Sequence, residues 1–389
     1  MDISKARILH ISKYYYPFIG GTEQVAQSLV KSLADSGAEQ KVICFNEDAG
    51  DGALSCRRDE TVTDVIDGVE VIRCGCLFKA ASQSVSFVYG KELRKLMDRF
   101  QPTLVFFHYP NPFAAHYLLK YRNRDFRLLI YWHLDITKQK VLKHFFHGQN
   151  LALIQRADRI IGATPMHVDT SAYTAFFGKK RCILPYMIDE DSLRMNDGEA
   201  ASGKRIKEQY AESILAFFIG RHVAYKGLNC LIRASGELNG TNIRFLIAGD
   251  GELTDSLKEQ AKGDAKIRFL GRLTDSERKA YLYAADIICL PSVTRSEGFG
   301  LALAEGMYFG HPAVTFTIPG SGVNYVNLNG VTGIECPNGD TRAYASAVRR
   351  LAEDEALRKT MGEAARKRVR ELCSPAAFQS RLTELLNSL

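Results

Sequence analysis

The chain has 389 residues, 46% of them apolar and 24% charged, with a net charge of +7 from 51 basic and 44 acidic side chains. At about 100–200 residues per domain this length predicts two domains, and the composition excludes a disordered or fibrous chain. No apolar run approaches the roughly 18–20 residues that span a bilayer, and the first residues lack a basic flank, long apolar stretch and cleavage site, so the expected location is cytoplasmic.

Short runs rich in Val, Ile, Leu and Phe alternate with stretches of helical period, the pattern of βα units around a parallel sheet. Strands are predicted near residues 6–12, 41–45, 69–74, 103–108, 128–133, 159–164 and 181–185. The polar segment DSLRMNDGEAASGKR (191–205) then reads as a linker. The pattern restarts with strands near 213–220, 243–249, 267–271, 286–291, 313–316 and 333–336, and a helical tail follows from about 340, broken at Ser374 and Pro375. The predicted fold is α/β, with two Rossmann-like, doubly wound parallel-sheet domains facing a central cleft. Their expected bounds are 1–195 (acceptor side), a linker over 196–212, 213–372 (donor side), and a last helix over 373–389 that crosses back to the first domain.

Nine cysteines are an odd number, and several sit inside apolar runs, so they read as reduced core residues. Cys74 and Cys76 have no second pair at metal-ligand spacing. The positive charge is uneven: residues 79–159 hold 14 basic against five acidic side chains, a local excess of +9. It predicts either a solvated face or one that meets anionic lipid head groups or a phosphate-bearing substrate. The stretch KVLKHFFHG (140–148) places Val141, Leu142, Phe145 and Phe146 beside Lys140 and Lys143, as a basic amphipathic helix at a membrane does. No nucleic-acid recognition module accompanies the charge, so nucleic acid is not an expected partner.

Open α/β sheets bind ligands at the carboxyl ends of their strands, so chemistry is expected in strand-to-helix loops. In SKYYYPFIGGTEQ (12–24), Gly20, Gly21 and Thr22 open a helix whose amides can meet an anion. Tyr14, Tyr15 and Tyr16 read as wall. GRHVAYKG (220–227) brings Arg221 and Lys226 to a strand end, a pair suited to a diphosphate. PSVTRSEGFGLALAEG (291–306) sets Glu297 and Glu305 eight positions apart, with Gly298, Phe299, Gly300 and Leu301 opening a helix between them. Eight residues of helix rise about 12 Å, comparable to the length of a sugar–diphosphate–nucleoside. His133 and His108 each end a predicted strand, and Asp135 and Lys138 follow His133 in one loop.

YYPFIGGTE, GRHVAYKG, IAGDGEL (247–253), FLGRL (269–273) and SEGFGLALAE, in this chain order, resemble the retaining, nucleotide-sugar-dependent glycosyltransferases of family 4, with a GT-B fold. The resemblance implies that Arg221 and Lys226 hold the donor diphosphate, Glu297 contacts the donor sugar and Glu305 the ribose. The backbone from Leu270 to Leu273 would meet the base, and Gly21 and Thr22 would help to bind the donor. YWHLDITKQK (131–140) and IPGSGVNYVN (318–327) resemble the subset that builds bacterial surface polysaccharides, in which His133 matches the histidine facing the reacting sugar. His108, Asp135 and Lys138 are acceptor-side candidates.

The implied reaction moves a hexose from a UDP- or GDP-linked donor to a hydroxyl of a glycan or polyprenyl-linked acceptor. No cofactor is expected, since the nucleotide sugar is itself the substrate. Metal independence is expected on the two cations and on a reading that finds no Asp-x-Asp. The alternatives are a nucleotide-sugar epimerase or phosphorylase on the same fold, or an inert donor-binding partner subunit. A location on the inner face of the plasma membrane would follow if the basic face docks there.

Overall fold

The computed structural model describes residues 2–18, 20–47, 56–80, 83–136 and 140–389. It separates into two compact units, one of Met1–Met187 with Phe378–Leu389 and one of Ile188–Ala377. Both are α/β.

The first unit is built on an eight-stranded sheet. Its strands are β1 (Arg7–Ile11), β2 (Glu39–Phe45), β3 (Thr61–Ile66), β4 (Val69–Cys74), β7 (Leu104–Tyr109), β8 (Arg127–Trp132), β9 (Arg159–Gly162) and β10 (Arg181–Ile183). The spatial order is β10-β9-β8-β7-β1-β2-β4-β3, and only the edge pair β3 and β4 is antiparallel. The strands β5 (Phe78–Ala80) and β6 (Gln83–Val85) form a separate two-stranded hairpin. β1 and β7 are buried almost throughout, as expected of strands covered on both faces.

The second unit holds a six-stranded, fully parallel sheet. It comprises β11 (Ile214–Ile219), β12 (Ile243–Ala248), β13 (Ile267–Gly271), β14 (Ile287–Leu290), β15 (Ala313–Phe316) and β16 (Gly333–Cys336), in the order β13-β12-β11-β14-β15-β16. In each sheet the strand order reverses beside a central strand, between β1 and β7 in the first and between β11 and β14 in the second. Such a switch point leaves a crevice at the carboxyl ends, where open α/β sheets take ligands.

The expected linker is not a linker. Residues Asp197–Gln209 form a helix, started by a capping box between Asn196 and Glu199. Glu199 is buried against Lys279, 2.6 Å away, and a Cβ at Gly203 would lie 2.5 Å from the ring of Tyr283. The glycine that suggested a loop instead lets two helices approach. The units accordingly divide at Met187 and Ile188 rather than near 195. The tail breaks at Asp354 as well as at Ser374, and of the last helix (Pro375–Asn387) the part from Phe378 onward groups with the first unit. There Arg159 donates to the carbonyl of Ser388 at 2.5 Å.

All nine cysteines are free thiols and seven are buried. Among the described residues no helix is long and apolar enough to cross a membrane.

Candidate active site

In the second unit, β11 ends at Ile219 and the loop after it carries Arg221 and Lys226. β14 ends at Leu290 and the loop after it carries Glu297. Because β11 and β14 are neighbours, the two loops meet at the switch point. Gly227, in the left-handed region at φ 65°, packs so closely on the second loop that a Cβ would lie 2.1 Å from the carbonyl oxygen of Pro291.

Across this contact Lys226 Nζ lies 2.6 Å from Glu297 Oε2, with the two side chains only 11% and 9% exposed. Burial opposes the charged form of Lys226, yet the Glu297 carboxylate beside it holds the ammonium above the usual lysine range. Ser292 Oγ donates to the same Oε2 at 2.8 Å, Ser321 Oγ donates to the Glu297 carbonyl at 2.5 Å, and the amide of Gly322 donates to the Gly298 carbonyl at 2.6 Å. Arg221 is exposed at the rim, and its guanidinium has no partner among the described residues.

The helix Leu301–Tyr308 begins directly after this loop. Its N-cap is Gly300, at φ 82°, and no side chain caps its amides. Phe299 is buried and Leu301 half-buried. A Cβ at Gly306 would meet the Ile288 side chain at 2.3 Å, so this glycine seats the helix on β14. Glu305, one position earlier, pairs with Arg278 from the neighbouring helix Asp275–Ala284 at 2.6 Å. Burial alone would lower the Arg278 pKa, but Glu305 raises it overall. Leu270 and Leu273 are half-buried around the end of β13, where the Gly271 carbonyl accepts from the amide of Gly249 at 2.7 Å.

In the first unit the loop after β1 leads into the helix Gly21–Ser32, whose N-cap is Gly20 and whose amides also lack a side-chain cap. Gly21 is exposed and Thr22 half-buried. His108 lies in β7 and His133 directly after β8, on adjacent strands and 3% and 2% exposed. Both ring nitrogens of His133 are engaged: Nε2 lies 3.1 Å from His108 Nδ1, and Nδ1 lies 2.5 Å from the Tyr186 hydroxyl. Burial pushes His108 down to about 3 and His133 well below the usual value, so both rings are neutral. His10 and His167 are held down to about 4 for the same reason.

Asp135 is a local brace. Its carboxylate accepts from Trp132 Nε1 at 2.9 Å, Ser171 Oγ at 2.7 Å and the Ala172 amide at 2.8 Å. Lys138 lies outside the described residues, as do the side chains of residues 140–145 on which the membrane-facing helix was expected. Tyr14 and Tyr15 are buried and Tyr16 is exposed.

The structure thus brings Lys226 to Glu297 and His108 to His133. It also adds Arg278 and Tyr186, which no motif marks because each sits in an ordinary helix or loop and acts only through its partner, and it gives Ser292 and Ser321, which lie inside quoted stretches without an assigned part, the contacts that brace Glu297. One expectation needs correcting, because the chain does hold an Asp-x-Asp, at Asp189, Glu190 and Asp191. Asp189 caps the short helix Glu190–Leu193 through the Ser192 amide at 3.1 Å, and Asp191 pairs at the surface with Arg194. Its presence removes one of the two grounds for metal independence and leaves the cations.

A family model described as glycosyl transferases group 1 matches residues 202–368, and one described as glycosyltransferase family 4 matches residues 19–174. The chain is 29% identical over 374 residues to the D-rhamnosyltransferase WbpZ of Pseudomonas aeruginosa, covering 94% of this chain and 92% of that one. It is 27% identical over 369 residues to the O-antigen chain mannosyltransferase C of Escherichia coli, covering 94% of each. Among solved structures it shares its fold with the sucrose-phosphate synthase of Thermosynechococcus elongatus, at a TM-score of 0.78 and 18% identity over 99% of each chain. It also shares it with Anabaena HepE in complex with UDP-glucose, at a TM-score of 0.74 and 17% identity over 99% of this chain and 100% of that one.

Two Rossmann-like units with these neighbours define a GT-B fold. The two family models and the two full-length relatives make the chain a glycosyltransferase.

Proposed function

We propose that the chain is a retaining family 4 glycosyltransferase that moves a hexose from a nucleoside diphosphate sugar to a hydroxyl of a glycan or lipid-linked acceptor in bacterial surface-polysaccharide synthesis. The observation that carries this reading is the buried Lys226–Glu297 pair at the β11–β14 switch point, beside the uncapped helix at Gly300. A phosphate seated there meets an ammonium, the Arg221 guanidinium and helix amides, while a sugar hydroxyl meets a carboxylate. Glu305, oriented by Arg278, accepts the ribose hydroxyls, and the backbone from Leu270 to Leu273 meets the base.

The two relatives that align along nearly the whole chain are named for mannose and D-rhamnose, and D-rhamnose is 6-deoxymannose. A manno-configured hexose is therefore the first donor to test. In the reaction, the bond between the anomeric carbon and the β-phosphate oxygen breaks, and the acceptor oxygen bonds to the same face of that carbon. The acceptor proton passes to the departing phosphate oxygen. Arg221, Lys226 and the helix amides stabilise the negative charge on the leaving diphosphate, without a metal ion. In the first unit the ring of His133 is held by His108 and Tyr186, and this reading assigns it to the reacting sugar.

The basic excess of residues 79–159 suits an anionic membrane surface that presents a lipid-linked acceptor. Phe87, 80% exposed, adds an apolar group within this stretch, and Phe78, 56% exposed, adds one directly before it.

The test is a panel of UDP- and GDP-sugars given to the purified protein with and without polyprenyl-linked or glycan acceptors, reading nucleoside diphosphate release and the anomeric configuration of the product by NMR. Acceptor-dependent release with the donor's configuration kept is expected. Inversion would remove the retaining assignment, and donor conversion without acceptor would make the protein an epimerase.

A further inference from the structure

The two oxygens of Glu297 are not equivalent. Oε2 receives both Lys226 Nζ at 2.6 Å and Ser292 Oγ at 2.8 Å, whereas Oε1 has no partner among the described residues. The backbone beneath is fixed on both sides, with the amide donating to the Thr294 carbonyl at 3.0 Å and the carbonyl accepting from Ser321. The carboxylate is therefore pinned through one oxygen and open at the other.

A carboxylate held this way acts oppositely on two related ligands. To a sugar hydroxyl, Oε1 offers an acceptor. To a diphosphate it is an obstacle, because it competes for the Lys226 ammonium and adds a negative charge within a nearly buried site, where screening by water is weak. A nucleoside diphosphate sugar brings both the hydroxyls and the phosphates. The nucleoside diphosphate left after transfer has lost the hydroxyls, and its terminal phosphate, now a monoester, carries a further negative charge at neutral pH.

We propose that Glu297, braced by Ser292, is a specificity-determining residue that discriminates the intact donor from the spent nucleoside diphosphate, weakening the hold on the latter and so promoting its release. This rests on the reading of Lys226 as a diphosphate ligand. Lys226 is then a shared cation: Glu297 occupies it when the site is free of phosphate, and the spent nucleotide must compete for it without any sugar contact in return.

The experiment is calorimetric titration of the full chain with UDP and with GDP, in the absence of acceptor. It compares the unaltered protein with Glu297→Gln, Glu297→Ala, Lys226→Met and the double variant Glu297→Gln with Lys226→Met, each checked for folding by its melting curve. Glu297→Gln keeps the shape and loses the charge. It is expected to bind whichever nucleotide the protein prefers about ten-fold tighter, equivalent to about 1.4 kcal/mol. Glu297→Ala is expected to shift affinity in the same direction, so the test stands if one of the two variants does not fold. In the Lys226→Met background the gain should fall below about two-fold, because the two groups act through one contact. If Lys226→Met weakens binding while both Glu297 variants bind the nucleotide no tighter than the unaltered protein, the discrimination proposal is overturned and the diphosphate site stands. If Lys226→Met leaves the affinity for both nucleotides unchanged, the diphosphate site itself is wrong and the proposal falls with it.

Discussion

His108 Nδ1 lies 3.1 Å from His133 Nε2, and neither ring carries a proton it could share as a cation, because burial holds both far below the usual imidazole range. With His10, His167 and His311 at about 4, five histidines are neutral in the folded protein until the solution is strongly acidic. The unfolded chain protonates the same rings near pH 6.5, so it binds more protons than the folded one as the pH falls from there toward 4. Stability contributed by these rings is complete above about pH 6.5 and declines below it, by up to about 1.4 kcal/mol per pH unit for each ring. Urea denaturation midpoints at half-unit steps between pH 7.5 and 4.5 check this. A flat profile across that range would mean that the rings are solvated.

Under the proposed function, loss of Lys226 or Arg221 removes a charged contact to the leaving group, one that strengthens as the bond breaks. Lys226→Ala and Arg221→Ala are each expected to lower kcat at least about ten-fold, or about 1.4 kcal/mol of barrier. Unchanged kcat in both would take the diphosphate away from this loop.

Arg278 touches no ligand in the proposed scheme but orients Glu305 across 2.6 Å. Arg278→Gln should raise the donor KM about ten-fold with a smaller change in kcat, and Arg278→Lys should recover part of it. Glu305→Ala should show the same split between KM and kcat, whereas Glu297→Ala should lower kcat more. If Arg278→Gln altered only the melting temperature, the arginine would serve helix packing alone.

In the proposed scheme Arg221, Lys226 and the amides at Gly300 supply the positive potential that a divalent ion supplies elsewhere, so turnover is expected to survive EDTA. Initial rates before and after chelation decide it. Complete loss, restored by magnesium or manganese, would return attention to the protein's carboxylates.

What the sequence shows and what it hides follow from burial. The parallel strands are legible because both faces are covered, which makes runs such as LVFFHY in β7 continuously apolar. β3 has one half-exposed face and the pattern TVTDVI, so it reads as nothing in particular. The helix Asp197–Gln209 is hidden by two glycines, although Asn196 and Glu199 spell its capping box. Within the site, Lys226 and Glu297 are legible because both must stand on loops after strands. Arg278 and Tyr186 are not, since their roles consist of contacts to Glu305 and His133, which lie 27 and 53 positions away and are met only once the chain has folded.

The return of Phe378–Leu389 to the first unit sets an order on synthesis. At about 5–20 residues per second, the 190 residues of Ile188–Ala377 take roughly 10–40 s to emerge after Met187 has been made. Throughout that interval the earlier half lacks the segment Phe378–Leu389 that groups with it, in which Phe378, Leu382, Leu385 and Leu386 are buried. The half made first is thus the half completed last, and a nascent chain stalled within the second unit holds an unfinished neighbour that chaperones can recognise.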